Sequence, residues 1–489
     1  MTCRNSRRCR RSSTRCARTS GAGQRNLPLT LDELSIRRGL RNEQASSVSA
    51  INSWEASSLE LTVEVEMVRL TRTRARLASL VAIGAVATLG LAAAPALADS
   101  SPAADPDAEV YLSPDEALLL DAGLLAEDQG IPLEAAVAQL EAQTRASQQI
   151  EEISRLAGDR LGGWWTSHED GFRVSVSVTP GPPIEALDKL ATSADYSFDV
   201  SYTARFTEQQ LVDAANAVGD RMGGRAGFNG VGVDYSTESL FVAVVPELLD
   251  EKPEELVAEA ANTAKSSIAR AAGSSPSIEI ALVTDDGVAG DLATVGGVKL
   301  VGACSSAFAV RTPGGTRGFL TAGHCANYAY YALSPSGSPT HPAPFHSALY
   351  NGHADLQMNR PLNHTVSPSF FGASATTATT QSGSLIVGQG NWVCKRGAKT
   401  GYTCGYVQTT SYNPGSGACG TSTCQAAFIR VAQGNFQAAA GDSGGAGFVS
   451  GSFAFGVLKC GVPSGGTWAC FTKTQYLGQN YLNVQILTS

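Results

Sequence analysis

Two short stretches hold residues able to do chemistry together: GFLTAGHCA around His324 and AAAGDSGGAG around Ser443. A serine hydroxyl attacks poorly until a base removes its proton, and a histidine of near-neutral pKa suits that task. The histidine needs a carboxylate on its far side to fix its tautomer and stabilise the imidazolium. Between Cys325 and Gly441 the only acidic residue is Asp355, in NGHADLQMNRP, and there is no glutamate. Small residues around Ser443 let a substrate approach the backbone, and the amides of Gly441 and Ser443 are the obvious donors to a developing oxyanion.

The order of these residues restricts the mechanism. GDSGG also fits the G-x-S-x-G elbow of the α/β-hydrolases, where acid and histidine follow the serine. Beyond Ser443 there is no Asp, Glu or His, so the elbow fails. An acid placed before the histidine could only come from upstream of His324, for example Asp291, and no motif supports that. The order His, Asp, Ser leaves Asp355 and Asp442. Asp442 adjoins the nucleophile and is poorly placed to hold the far side of the imidazole, so Asp355 is the partner expected for His324.

The elements that must position these groups fall into two compositional halves. The chain has 489 residues, a length that suggests two or three domains, and 43% apolar with 16% charged residues is a globular composition. The net charge of −8 hides an asymmetry. Residues 99–289 hold 34 Asp and Glu against 11 Lys and Arg, whereas residues 290–489 hold 3 against 10. Such a shift marks a boundary near residues 285–295.

The first hundred residues read as targeting sequence. Met67 opens a basic stretch, MVRLTRTRAR, followed by an apolar run and Ala96-Leu97-Ala98, the pattern of a secretory signal peptide over 67–98. A cleaved signal fits better than a stable membrane anchor. Residues 1–66, rich in Arg and Ser, then form a non-native extension, with translation expected to start at Met67. Removing Cys3, Cys9 and Cys16 leaves an even set: Cys304, Cys325, Cys394, Cys404, Cys419, Cys424, Cys460 and Cys470. After a signal peptide such a set reads as disulfides in an oxidising, extracellular setting. Pairing sequence neighbours gives 304–325, 394–404, 419–424 and 460–470, one of roughly a hundred connectivities. His341, His346, His353 and His364 are too irregularly spaced for a metal site, and neither a metal nor a cofactor is expected.

After a Pro/Ala/Asp linker, the acidic half reads as α+β. Ser113, Pro114 and Glu116 form a capping box opening a helix, and PLEAAVAQLEAQTRASQQIEEISRLA extends the helical pattern. FRVSVSVT alternates as a half-buried strand. AGDRLGG at 157–163 is echoed by VGDRMGG at 218–224, each between a helical stretch and a strand, which suggests two related subdomains. The basic half reads as all-β: SSAFAVRT, GFLTAGHC, GSLIVGQG, AAFIRVAQ, FAFGVLKC and TWACFTKT are short runs bounded by turn residues, enough for a sandwich or a pair of barrels.

GFLTAGHC, VCKRGAKTGYTCG, GDSGG and GGTWACFTKTQYLGQNYLNVQI resemble the bacterial branch of the chymotrypsin-like serine peptidases, the streptogrisin and α-lytic endopeptidase type, over roughly 293–489. The acidic half resembles the propeptide of that family. The resemblance implies an all-β double barrel with the site between barrels, preceded by an α+β propeptide at 99–292 that assists folding, inhibits the enzyme and is removed by proteolysis. It makes His324 the general base, Asp355 its orienting acid and Ser443 the nucleophile, with Cys304–Cys325 tying the histidine loop. It places Gln437, six residues before Ser443, at the floor of the substrate pocket, and Lys459 and Gly461 on the strand lining the substrate channel.

The departures carry information too. Where the family usually has a serine that contacts the catalytic acid, this chain has Lys459, and Cys460 and Cys470 replace small or aromatic residues. No acid lies at the pocket floor, so an apolar P1 residue is expected, with an acidic P1 as the alternative through Lys459. Substrates are expected to be proteins or peptides, the propeptide an intramolecular inhibitor and the protein a monomer. The charge split would make the two halves complementary. The rival class is a non-catalytic secreted binding protein on the same fold. Nucleic-acid binding is not expected, since KRGAK is the sole basic cluster of the second half.

Overall fold

Ser113 caps the first helix through its own hydroxyl, and Glu116 returns the bond to the Ser113 amide, so two otherwise orphaned N–H groups are satisfied. This helix, α1, runs Pro114–Gln129 and stops at Gly130, whose φ of 66° is open to glycine at little cost. In this computed structural model the described residues are 111–272, 277–291, 298–300, 304–415 and 418–488. The expected extension at 1–66, the signal peptide at 67–98 and the last residues of the 285–295 boundary lie outside them.

The acidic half contains one arrangement twice. Helix α2 (Leu133–Ala157) leads into an antiparallel hairpin of Leu161–Ser167 and Arg173–Val178; helix α3 (Glu185–Ser193) then crosses over to Ser197–Ser201, parallel to the second strand. Helix α4 (Glu208–Met222) leads likewise into the hairpin Phe228–Asp234 and Ser239–Val244. Helix α5 (Pro253–Ala272) crosses to the parallel strand Ile280–Thr284. The two GDR-x-GG sequences both straddle the junction of helix and hairpin: the first runs from the turn Gly158–Arg160 into the strand at Leu161, the second forms the last turn of α4 and the two glycines after it. Each unit buries its own apolar cluster: Ile153, Val174, Val176 and Leu187 in the first, Leu211, Val218, Val242 and Leu256 in the second.

The basic half is all-β. Six strands, Trp392–Gly397, Ala446–Val449, Phe453–Gly461, Trp468–Lys473, Phe428–Ala432 and Gly401–Asn413, pair in that order, and the last returns to the first to close a barrel. Its interior is filled by Val393, Val431, Phe436, Phe455, Leu458 and Phe471, all buried. The other sheet curls through Ala309–Arg311, Arg317–Thr321, Asp355–Asn359, His341–Tyr350 and Tyr328–Tyr331 into a half-barrel. The expected strand at GSLIVGQG is reduced to Gly383–Ser384. The Leu385 amide still donates to the Ala454 carbonyl at 3.0 Å; beyond it the run turns away, and the turn at Gly388 is held by the Asn391 side chain at 2.7 Å.

The halves join in three ways. Helices α1 and α2 insert Ala122, Leu125 and Leu140 into a core shared with Phe308, Trp392, Phe448 and Leu482. The hairpin strand Phe228–Asp234 pairs with the end of Gly401–Asn413, so one sheet runs from the acidic half into the barrel. Finally, Gly290 and Asp291 pair antiparallel with Gly461 and Cys460. The expected charge complementarity reduces to one cross-half ion pair among the described residues, Asp285 with Arg430, both buried. The rest of the joint is apolar packing and hydrogen bonding, part of it onto carboxylates: Asp121 accepts from Tyr402 and Gly451, Asp128 from Tyr406, Asp234 from Gln389 and Asp286 from Thr467.

Candidate active site

His324 lies just beyond the strand Arg317–Thr321, in the turn closed by the Cys304–Cys325 disulfide. The other disulfides join Cys394 to Cys404, Cys419 to Cys424 and Cys460 to Cys470. Asp355 opens the next strand, Asp355–Asn359, which pairs directly with Arg317–Thr321, so the sheet register brings carboxylate and imidazole together. Asp355 Oδ2 is 2.7 Å from His324 Nδ1, and Oδ1 accepts the His324 backbone N–H at 2.8 Å. A side chain at Gly323 would come within 2.9 Å of Oδ1, so that neighbour must stay small. Behind the carboxylate, Thr472 Oγ1 accepts the Asp355 N–H at 3.1 Å.

Ser443 comes from the other barrel. Its Oγ is 2.9 Å from His324 Nε2 and 3.4 Å from the Lys459 carbonyl. The Ser443 carbonyl accepts the Ser305 amide, which ties the two barrels together beside the site. Gly441 has φ 120°, a conformation strained for any other residue. Gly444, at φ 79°, packs so tightly that a Cβ would fall 2.2 Å from Thr321 Oγ1. Among the described residues, the N–H groups of Gly441 and Ser443 have no hydrogen-bond acceptor.

Asp442 points away from the imidazole. It accepts from the Thr400 hydroxyl at 2.6 Å, from the Lys399, Thr400 and Ala439 amides at 3.0–3.1 Å, and from Lys395 Nζ at 3.2 Å. Lys395 and Asp442 both have fully buried side chains. Burial pushes the Lys395 ammonium down to about 8 against the opposing pull of Asp442. Arg396 is also turned inward and donates to the carbonyls of Gly372 and Ala373. The KRGAK cluster thus braces the serine loop; it is not a surface patch. Sequence reasoning missed Lys395 and Thr400, and no local signal marks them, since their partner Asp442 lies more than forty residues away.

The residues expected to contact substrate separate. Gln437 is exposed, and its backbone carbonyl accepts from Thr400 and Thr403. Gly461 is buried and pairs with both Ala469 and Gly290. The Lys459 side chain does not face the channel: it is fully buried, with Nζ 2.9 Å from Asp355 Oδ2. Burial alone would raise the Asp355 carboxyl, but the charge of Lys459 and then His324 outweigh it and hold the group well below the usual carboxylate range. His341 and His364 stack edge to face, and His364 Nδ1 bonds Tyr331.

A closed six-stranded barrel meets a half-barrel at a His–Asp and His–Ser contact, with His324 and Ser443 on loops and Asp355 at the start of a strand. The double barrel is a chymotrypsin-like serine-protease fold. No family model matches the chain. Among solved structures it is similar to Nocardiopsis protease, at 25% identity over 40% of this chain and 98% of that one, with a TM-score of 0.33. Thermobifida fusca protease A is 27% identical over 40% and 100% of the two chains, with a TM-score of 0.32. Cellulomonas bogoriensis chymotrypsin is 24% identical over 40% and 99%, with a TM-score of 0.32.

Proposed function

We propose that this chain is the precursor of a secreted serine endopeptidase, with His324, Asp355 and Ser443 as its catalytic residues. The observation that carries the reading is the hydrogen-bonded line Asp355–His324–Ser443, at 2.7 and 2.9 Å, next to two unengaged amides. His324 Nε2 takes the proton from Ser443 Oγ as the oxygen attacks the scissile carbonyl, and Asp355 holds the Nδ1–H tautomer and steadies the imidazolium. The amides of Gly441 and Ser443 receive the oxyanion. His324 then protonates the leaving amine, and a water molecule, deprotonated by the same imidazole, releases the acyl group.

The acidic half acts as propeptide, aiding folding and blocking the site. The support is the strap Gly290–Asp291, which lies antiparallel on Cys460 and Gly461 as a substrate strand would. Cys460 directly follows Lys459, whose carbonyl borders Ser443, so the strap lies beside the candidate nucleophile. The processed bond falls within about residues 285–295, separating a propeptide over 99–292 from a peptidase over 293–489, and an apolar P1 residue is the preference proposed. The decisive experiment expresses wild type beside Ser443→Ala. Fluorophosphonate labelling of wild type at Ser443, an N-terminus within about residues 285–295 and an uncleaved mutant are expected. An unlabelled, inactive wild type would leave the non-catalytic binding protein as the better reading.

A further inference from the structure

The strand Phe453–Gly461 carries a β-bulge between Leu458 and Cys460. A bulge breaks the alternation of side chains and re-aims the residue at its centre. Here that residue is Lys459. Leu458 keeps its place inside the barrel, while the Lys459 side chain turns toward the other barrel and is wholly buried. Its Nζ lies 2.9 Å from Asp355 Oδ2, the same oxygen that receives His324 Nδ1 at 2.7 Å. The ammonium also lies over the rings of Tyr350, at 5.4 Å, and Phe428, at 5.5 Å. Through its carbonyl the same residue reaches Ser443 Oγ.

We propose that Lys459 is a positioning residue of the triad: its ammonium locks the Asp355 carboxylate against His324 and shifts the working range of the histidine toward acid. The inference rests on the peptidase reading. A carboxylate that serves one cation stabilises the imidazolium strongly; one that serves a second cation on the same oxygen stabilises it less. The ammonium also repels the imidazolium directly across a site that excludes water, where charges are weakly screened. His324 therefore keeps its neutral, proton-accepting form at lower pH than it would beside Asp355 alone. A neutral hydroxyl in place of Lys459 would orient the carboxylate without this electrostatic effect. Lys459 also keeps Asp355 ionised in acid, in line with the lowering of that carboxyl.

Other titratable groups lie near the pair. Tyr350, on His341–Tyr350, presents its ring to both Lys459 and His324. His353, before Asp355, is turned to Tyr476 and Tyr481. Lys473 follows Thr472 on the neighbouring strand and lines a separate cavity with Glu208. Asp291 of the strap pairs at Cys460, and processing would remove it equally from every variant.

The test expresses the full chain as wild type, Lys459→Met, which keeps the stem volume, and Lys459→Ser. Fluorophosphonate titration counts reactive serines, and kcat/KM for an internally quenched peptide is followed against pH. The acid limb should rise by about one pH unit or more in both variants. A residue that merely fills space would change the yield of titratable enzyme and leave the limb in place. Superimposable limbs in active variants overturn the inference. If neither variant folds, the His324 imidazole of wild type is titrated by NMR: a pKa clearly below the ordinary value of about 6.5 is expected, and one at or above it overturns the inference. A wild type that does not label at Ser443 would instead count against the peptidase reading itself.

Discussion

Lys395 Nζ lies 3.2 Å from Asp442 Oδ2, both side chains are fully buried, and the pair adjoins Ser443 in the chain. Position 442 therefore braces the nucleophile loop from behind, while Asp355 serves the imidazole from the other barrel. The two aspartates thus hold different groups: one shapes the loop that carries Ser443, the other bonds His324.

Removing the Lys395 amine should damage both stability and catalysis. Lys395→Met takes away its bonds to Thr400, Gly401 and Asp442 together, and leaving buried polar partners unsatisfied costs about 1–3 kcal/mol each. Urea denaturation of the Ser443→Ala background gives the stability, and active-site titration gives the share of assembled sites. An unchanged urea midpoint and unchanged kcat would show that the Thr400 and backbone donors suffice.

Lys395 also sets an alkaline limit. Its ammonium is lowered from the ordinary lysine value to about 8. Above that pH the native state gives up the proton before the unfolded chain does, so the contribution of this group to stability rises with pH up to the ordinary value. Activity should move the other way, falling above pH 8 as Asp442 loses its cation. Thermal melts and rates measured across pH 7–10 should show these opposite slopes; Lys395→Arg, if it folds, should retain activity to higher pH.

Asp355→Asn should lower kcat by roughly 10⁴, because the amide no longer selects the Nδ1–H tautomer of His324. It should also strand Lys459 as a buried cation and destabilise the fold by about 3–5 kcal/mol. Normal melting together with lost activity would mean that Lys459 finds another acceptor.

Asp285→Asn probes the joint between halves. Arg430 is stacked 4.0 Å from the Trp468 ring and bonds Asp285, which Asn229 also holds at 2.8 Å. Neutralising Asp285 should destabilise the Ser443→Ala precursor by about 3–5 kcal/mol. Because the pair is buried, added salt should change the wild-type precursor little. A strong salt dependence would place the electrostatic contribution on exposed charges instead.

Gly441→Ala should cost about 1–3 kcal/mol, since alanine is strained at φ 120°. If relief of that strain turns the amide away from the oxyanion, kcat should fall by about 10²–10³ with little change in KM. Steady-state kinetics on titrated enzyme separates the two effects.

Much of this arrangement was legible in the chain because it rests on local chemistry. The box at Ser113 and Glu116 caps a helix, and cysteines near in sequence lie near across hairpins. The strand His341–Tyr350 was not legible. Pro342 and Pro344 weaken the pattern, and its side chains alternate between partial burial and exposure, so no apolar run marks it. Lys459 could be found on a channel strand, but the bulge beside it decides which way it points, and alternation cannot supply that. Lys395 and Arg396 read as surface charge because their acceptors, Asp442 and the carbonyls of Gly372 and Ala373, lie far away in the chain.

The sheet that runs from the strand Phe228–Asp234 into Gly401–Asn413 has one more consequence. Cutting the chain near residue 292 would not by itself separate the halves, because the ladder at Tyr412 and Asn413 is not covalent. Separation would bare a strand margin whose N–H and C=O groups had been paired, on a surface next to buried Tyr412 and Trp468. Such a margin is a template for another strand. The freed peptidase would carry its greatest hazard of self-association there, and an extended peptide that rebinds the margin would act as a cap against clumping.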